Sequence, residues 1–352
     1  MIWLITLMIV LALPLYLVLV QAFIGWWAHR RRQPPDAALA RDHRLLLLMP
    51  AHNESTGIAA TIRCIREVLA ADACNARVVV IADNCDDDTA RQASEAGAEV
   101  RERHDPTHRG KGYALAWGMQ QLADDASWQS VVVVDADIRP QPGCFAMLAA
   151  ELAAGAPVVQ SFSRLFLEPA PRSQLLTLAY ALINCARPMG RHALGGLALA
   201  AAGYRVKPVP EAMILCFVET VSSAAPQRRR WEAGRFQAIR RCLPRLLRQP
   251  RWSAWEAALD LLVLPLALPV MALVPVTLLA GLLGWWPAFW LGILFMTLPV
   301  AALIPTCRIT GLPMTTLQSL WWAPVYMLWK SGLYLHPGFW RPRAWVRTPR
   351  SK

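Results

Sequence analysis

Charge is scarce in this 352-residue chain: 17% of residues are Asp, Glu, Lys or Arg against 55% hydrophobic. With a mean hydropathy of +0.32, that balance excludes a disordered chain and an ordinary soluble enzyme. No charged residue occurs between Ile2 and Trp27, and none between Leu261 and Cys307. The eight cysteines include no C-x-x-C pair, and no histidine stands at zinc-site spacing. A zinc module is thereby excluded, and the cysteines read as small core residues in a reducing compartment. Acidic residues are outnumbered 24 to 36, for a formal net charge of +12, a charge that suits nucleic acid, anionic lipid or a nucleotide. The arginines cluster beside the apolar runs, and no recognition helix or aromatic RNA-binding strand is evident, so nucleic acid is excluded as a partner.

The apolar runs define membrane segments. Ile2–Trp27 has the length of a spanning helix and stops at Arg30-Arg31-Arg32. A signal peptide would carry its basic residues before the apolar stretch and a small-residue cleavage site after it. Here the order is reversed and bulky Trp26-Trp27 close the run, so residues 1–28 are predicted to be an uncleaved transmembrane anchor. Residues 258–307 are predicted to form a transmembrane hairpin turning near Gly281–Pro287, with Trp285, Trp286 and Trp290 at an interface. Residues 309–352 read as an interfacial helix, interrupted by Pro313 and Pro324, followed by a basic tail. With three crossings, Arg30 to Arg32, Arg308 and the tail from Arg341 to Lys352 fall on one side, which places residues 41–247 in the cytoplasm. A fourth span would carry the tail outside.

Between these segments the pattern is α/β. Leu45–Met49, Val78–Ile81, Val131–Val134 and Val158–Phe162 are short β-rich runs of the kind that buried parallel strands show. Thr56–Ala70 and Asp88–Ala96 read as helices between them, the second closed by Gly97. The arrangement predicts a doubly wound sheet, whose ligands bind where the strands end at their carboxyl side.

Those strand ends are polar: Met49-Pro50-Ala51-His52-Asn53-Glu54 after the first, Asp83-Asn84-Cys85-Asp86-Asp87-Asp88 after the second, and Asp135-Ala136-Asp137 after the valine strand. Helix capping accounts for Asp87 or Asp88. Two carboxylates at i and i+2 suit a partly hydrated Mg²⁺ or Mn²⁺ that holds a diphosphate. Arg109-Gly110-Lys111-Gly112-Tyr113 reads as a basic glycine segment opening a helix, where free N–H groups and Lys111 can meet phosphate. Gln227-Arg228-Arg229-Arg230-Trp231 precedes the membrane hairpin; an indole can stack on a sugar and a guanidinium can pair with a phosphate.

In this order, from Leu45 to Trp231 and on to the closing Trp345-Val346-Arg347-Thr348, the motifs resemble the membrane-bound inverting glycosyltransferases of family 2, which include the cellulose, chitin, hyaluronan and poly-N-acetylglucosamine synthases. The resemblance implies a GT-A fold in the bacterial inner membrane and a UDP-sugar donor bound around Pro50, Glu54, Asp83, Lys111 and Asp135. Asp83 would contact the uridine, and Asp135 and Asp137 would hold Mg²⁺ or Mn²⁺. Gln227, Arg230 and Trp231 match the family's Q-x-x-R-W over the pyrophosphate and the acceptor, a polysaccharide or a lipid-linked glycan. Synthase partner subunits or homo-oligomers are implied where three crossings must build a channel.

One element of the family pattern is missing. Inversion needs a general base, which in these enzymes is the Asp of a Glu-Asp motif. Between Ile138 and Gln227 the acidic residues are Glu151, Glu168, Glu211 and Glu219, none followed by Asp. After Gly195-Gly196 the chain passes directly to Leu197–Arg205, which resembles the end of the Glu-Asp helix, as though a few tens of residues had been lost. Such a loss is expected to lower stability. Glu211 and Glu219 read as solvated strand ends, and Glu219 is the one substitute base the sequence offers. Two readings follow: a glycosyltransferase, impaired or with an unconventional base, or a non-catalytic nucleotide-sugar-binding or assembly subunit of a synthase.

Overall fold

The structure is a computed structural model and describes residues 1–166, 171–196, 198–199, 203–217, 225–263 and 266–335. It divides into two compact units, one containing Met1–Arg32, Leu167–Val206 and Val218–Pro349, the other Gln33–Phe166 and Lys207–Phe217. The chain opens with helix α1 (Ile2–Arg31), four residues longer than the apolar run, because its last turn takes in the basic residues His29, Arg30 and Arg31 that complement a helix C-terminus.

The second unit is built on a parallel sheet of β1 (Leu45–Ala51), β2 (Ala76–Asp83), β3 (Glu99–Arg103) and β4 (Ser130–Val133), in the order β3-β2-β1-β4. Side chains alternate across β1: Leu45, Leu47 and Met49 join a core with α2 (Ile58–Ala71), while Leu46 and Leu48 pack on the other face with Ala114 of α4 (Lys111–Gln121). Burial on both faces is why the strand reads as an unbroken run of leucines. Helix α3 (Thr89–Glu95) connects β2 to β3. Pro50 is tolerated in this central strand because the pairing of β1 with β4 ends at Leu48↔Val133, two residues earlier.

Beyond β4 the chain forms β5 (Ile138–Pro140), α5 (Cys144–Ala153) and β6 (Val158–Phe166). Asp72, just past α2, accepts hydrogen bonds from the N–H groups of Gly143, Phe145 and Ala146, so a carboxylate closes the amino end of α5. Strands β7 (Ala198–Leu199) and β8 (Tyr204–Phe217) pair antiparallel through Ala198↔Arg205 and Leu199↔Tyr204. Where a helix end is expected over Leu197–Arg205, the described residues Ala198, Leu199, Tyr204 and Arg205 are strand. Gly203, at φ +74°, takes the left-handed conformation there. Strand β8 is central in a second sheet of order β5-β8-β6.

The first unit is helical. After α6 (Pro171–Ala181), a single π-helical turn (Leu182–Ala186) leads into α7 (Arg187–Ala193), which lies against α1. Gly25 and Gly190 make that approach possible, since a Cβ on Gly190 would lie 1.9 Å from the Gln21 carbonyl oxygen. The remaining helices are α8 (Ala225–Leu247), α9 (Trp252–Leu262), α10 (Ala267–Leu282), α11 (Trp286–Thr297), α12 (Leu303–Thr310) and α13 (Ala323–Leu335). Arg187 is buried, donating to Gln21 Oε1 at 2.9 Å and pairing with Asp260 at 2.6 Å, while Arg191 forks onto Glu256 at 2.5 and 2.8 Å.

Two helical rods, Ile2–Arg31 and Trp286–Thr310, are long and apolar enough to cross a membrane; α9 and α10 reach that length only as a bent pair. The turn expected near Gly281–Pro287 is present, with Gly284 at φ +69°, but the second arm runs past Cys307 to Thr310. The expected interfacial helix is broken at Gly311 and Pro313 into a 3₁₀ segment (Met314–Trp322) and α13. The basic tail from residue 336 onward lies outside the described residues. Among the described cysteines no disulfide forms; Cys144, Cys185 and Cys307 are buried and Cys242 is exposed.

Candidate functional site

The sheet order β3-β2-β1-β4 reverses direction between β1 and β4, and the carboxyl ends of parallel strands at such a reversal are where α/β sheets open a crevice. Asp135 and Asp137 follow β4, the Pro50–Glu54 segment follows β1, Asp83 ends β2, and Lys111 opens α4 after β3. The topology thus brings four of the sequence-predicted stretches to one edge of one sheet.

At that edge Ala136 is buried in the core and its carbonyl accepts from the Thr61 hydroxyl at 2.8 Å, anchoring the loop to α2. Asp135 and Asp137 flank this buried alanine. Lys111 Nζ donates to Asp135 Oδ1 at 2.5 Å, with both side chains 53% exposed. Gly110 precedes α4 at φ +124°, and a Cβ on either Gly110 or Gly112 would meet nothing within 4 Å.

Asp83 is differently placed. Its Oδ1 accepts from Arg103 Nη1 at 2.5 Å and from Asn84 Nδ2 at 3.0 Å, and both side chains of the ion pair are 7% exposed. Arg103 continues to the His108 carbonyl and Asp105 Oδ2, at 3.0 and 2.9 Å. Asp105 also accepts from Thr107 Oγ1, the first of several hydrogen bonds from Thr107 and His108 that hold its carboxyl far below the usual range. The loops after β1 and β2 are bound to each other. Asn53 and Asp86 exchange hydrogen bonds, Glu54 N donates to Thr89 Oγ1 at 2.7 Å, and His52 Nδ1 lies 2.8 Å from the Asp83 carbonyl oxygen. Asn53 and Asn84 both adopt left-handed φ, 55° and 53°, a conformation asparagine tolerates better than most residues. Asp87 accepts from Thr89 N at 3.0 Å and from Ser55 N at 3.2 Å, whereas Asp88, at the formal cap, makes no capping bond and pairs with Arg91. Burial pushes the Asp87 carboxyl up, but its Thr89 and Ser55 hydrogen bonds outweigh this and the net shift is downward.

Sequence reasoning did not identify Arg103, Asn53 or Thr89. Arg103 is the last residue of the strand Glu-Val-Arg-Glu-Arg, whose single apolar residue gives no period-2 signal. Gln227, Arg230 and Trp231 fall on the backbone of α8, with side chains outside the described residues, and Glu219 lies outside them altogether. Strand β8 pairs antiparallel with β5 through Ile138↔Cys216, and β5 begins one residue after Asp137. Glu211 is partly buried in the middle of β8, not at a solvated strand end.

Divalent cations prefer oxygen ligands, and two carboxylates at one loop supply part of a hydrated Mg²⁺ or Mn²⁺ shell. Among the described residues no group of three or more His, Cys, Asp or Glu assembles that could hold a metal alone. Asp135 and Asp137 alone would leave the other ligands of a cation to water and diphosphate.

Residues 47–196 match the family model described as glycosyl transferase family 2. Comparison with curated proteins gives no match. Among solved structures, a mannosyltransferase from Pyrobaculum calidifontis in complex with GDP-Man and Mn²⁺ is 18% identical, over 93% of this chain and 99% of that chain, with a TM-score of 0.49. Glucosyl-3-phosphoglycerate synthase from Mycobacterium tuberculosis, in complex with Mn²⁺, UDP-Glc and phosphoglyceric acid, is 26% identical over 39% of this chain and 49% of that chain, with a TM-score of 0.28.

Proposed function

We propose, from the match of residues 47–196 to the family model of glycosyl transferase family 2, that this chain is a membrane-anchored transferase of GT-A fold that moves a sugar from a UDP-sugar to a glycan or lipid-linked acceptor, with inversion, at the cytoplasmic face. The supporting observation is the Asp135-Ala136-Asp137 loop at the sheet's point of reversal, with Lys111 on Asp135. Asp83, its charge compensated by Arg103, offers its second carboxylate oxygen to the uracil ring, while Pro50 and Glu54 border the nucleotide. Asp135 and Asp137 hold the Mg²⁺ or Mn²⁺, which when bound neutralises charge on the departing diphosphate. Lys111 adds a second positive group to that diphosphate, and Gln227, Arg230 and Trp231 serve the pyrophosphate and the acceptor sugar.

The acceptor hydroxyl must lose a proton as the new glycosidic bond forms, and proton transfer of this kind contributes about 10²–10⁴-fold to rate. No Glu-Asp dipeptide lies between Ile138 and Gln227, so Glu219, two residues beyond β8, is the base in this reading. The same gap in the sequence favours a second reading, a nucleotide-sugar-binding subunit that assembles with an active synthase. Calorimetric titration of UDP into the detergent-purified chain tests what the two share: binding should require Mn²⁺ or Mg²⁺, and metal-independent binding would remove the metal-site assignment.

A further inference from the structure

The two apolar rods of the helical unit run side by side. The Tyr16 ring of α1 meets Phe295 of α11 edge-on at 5.7 Å, and Met8, Ala12 and Leu15 share a core with Ala288. This pairing is in parallel register, so the carboxyl-terminal ends of the rods lie together, and each carries arginine: Arg30 on α1 and Arg308 on α12. Between those ends is a cavity of about 540 Å³, lined by Phe23, Trp26, His29 and Arg30 from one rod and Ile304, Pro305 and Arg308 from the other.

The lining has two characters. Phe23 and Ile304, both exposed, form an apolar wall open to the surroundings. Arg30 lies over Trp26 with its guanidinium carbon 5.3 Å from the ring centroid, a cation–π contact that leaves the N–H donors of the guanidinium for an acceptor. Among the described residues neither Arg30 nor Arg308 is paired with a carboxylate. From Trp286 to Arg308 the helical rise is about 33 Å, close to the thickness of a bilayer's hydrocarbon core. Arg308 therefore stands at head-group depth when Trp286 stands at the opposite interface.

We propose that this cavity is a binding site for an anionic phospholipid, with the phosphate between Arg30 and Arg308 and an acyl chain along Phe23 and Ile304. Two guanidiniums converging on an apolar slot complement a group that is charged at one end and greasy at the other. A free phosphate would gain nothing from the apolar wall. The proposal is independent of the transferase reading, since it uses none of the residues assigned to sugar transfer.

The test is native mass spectrometry of the full-length chain released from mixed phosphatidylglycerol and phosphatidylcholine, comparing two variants that lose equal charge. The lining pair Arg30→Gln/Arg308→Gln should reduce retained phosphatidylglycerol about tenfold more than the neighbouring pair Arg31→Gln/Arg32→Gln, the extra factor reflecting directed charge-assisted hydrogen bonds. Equal losses would mean general attraction to a basic surface and would overturn the site. Displacement of the lipid by glycerol phosphate at equal concentration would show a phosphate site without lipid selectivity, and would overturn the lipid assignment. If the lining pair fails to fold by circular dichroism, Arg308→Gln alone should still bind less phosphatidylglycerol than Arg31→Gln, and parity between these single variants would contradict the proposal.

Discussion

Lys111 Nζ sits 2.5 Å from Asp135 Oδ1, an ion pair between two half-exposed side chains at the mouth of the sheet's crevice. A pair that exposed contributes about 0–1 kcal/mol to stability, so its position at the strand end argues for ligand handling more than for holding the fold. In the proposed site both groups serve one diphosphate, Asp135 through the cation and Lys111 directly.

Asp135→Asn and Asp137→Asn should each weaken Mn²⁺-dependent UDP binding on the order of tenfold or more, with thermal stability within a degree or two of wild type. Lys111→Met should weaken UDP binding while leaving its dependence on metal intact. Calorimetry with and without Mn²⁺ separates these outcomes. A large stability loss in any of the three would mean that the cluster is structural.

Asp83 and Arg103 should behave in the opposite way. Removing the guanidinium by Arg103→Met strands a buried carboxylate, at a cost of about 3–5 kcal/mol. The double change Asp83→Asn/Arg103→Met should recover part of that loss, because no unpaired charge remains. Denaturation midpoints of the three proteins are the measurement, and additive losses would mean the two residues do not depend on each other.

Gly190→Ala places a methyl group 1.9 Å from the Gln21 carbonyl oxygen, so backbone must move. We expect destabilisation of about 1–3 kcal/mol or more, whereas Gly112→Ala, where nothing lies within 4 Å, should fold normally. Comparable thermal midpoints for the two variants would mean that α1 and α7 do not pack closely.

The pH dependence follows from Asp87. Its carboxyl titrates below its ordinary value, so its contribution is complete at neutral pH and drains away as the pH falls through the carboxylate range, below about pH 4. Asp87→Asn should therefore lower the melting temperature by a few degrees at pH 7, and the gap should close towards pH 3. A gap that widens on acidification would reverse the assigned sign.

Much of the sheet was legible because burial on both faces leaves a plain mark: Leu45–Met49 and Val78–Ile81 were predicted from unbroken apolar runs and are β1 and β2. The Asp135-x-Asp137 loop was legible for the same reason, since a valine strand points to it. Strand β3 was missed because it is short and carries four charged residues in five. The Leu197–Arg205 stretch was misread because its alanines favour helix, and the pairing of Ala198 with Arg205 that overrides this propensity cannot be read from local composition. The Asp83–Arg103 pair joins residues 20 positions apart, a contact created by the parallel register of β2 and β3. The two glycines that let α7 approach α1 likewise acquire meaning only once the helices are in contact.

Trp231→Ala tests the acceptor side. If Trp231 stacks on the acceptor sugar, turnover with acceptor should fall more than UDP binding. The reverse order would assign the indole to the nucleotide.

The most direct test of the transferase reading is UDP release from a panel of UDP-sugars by the detergent-purified chain with Mn²⁺ or Mg²⁺, run beside UDP calorimetry and repeated with Glu219→Gln. The reading requires metal-dependent binding together with release from at least one donor, and a fall of about 10²-fold or more in the variant. Binding without release from any donor would contradict catalysis and leave the nucleotide-sugar-binding subunit as the function of the chain.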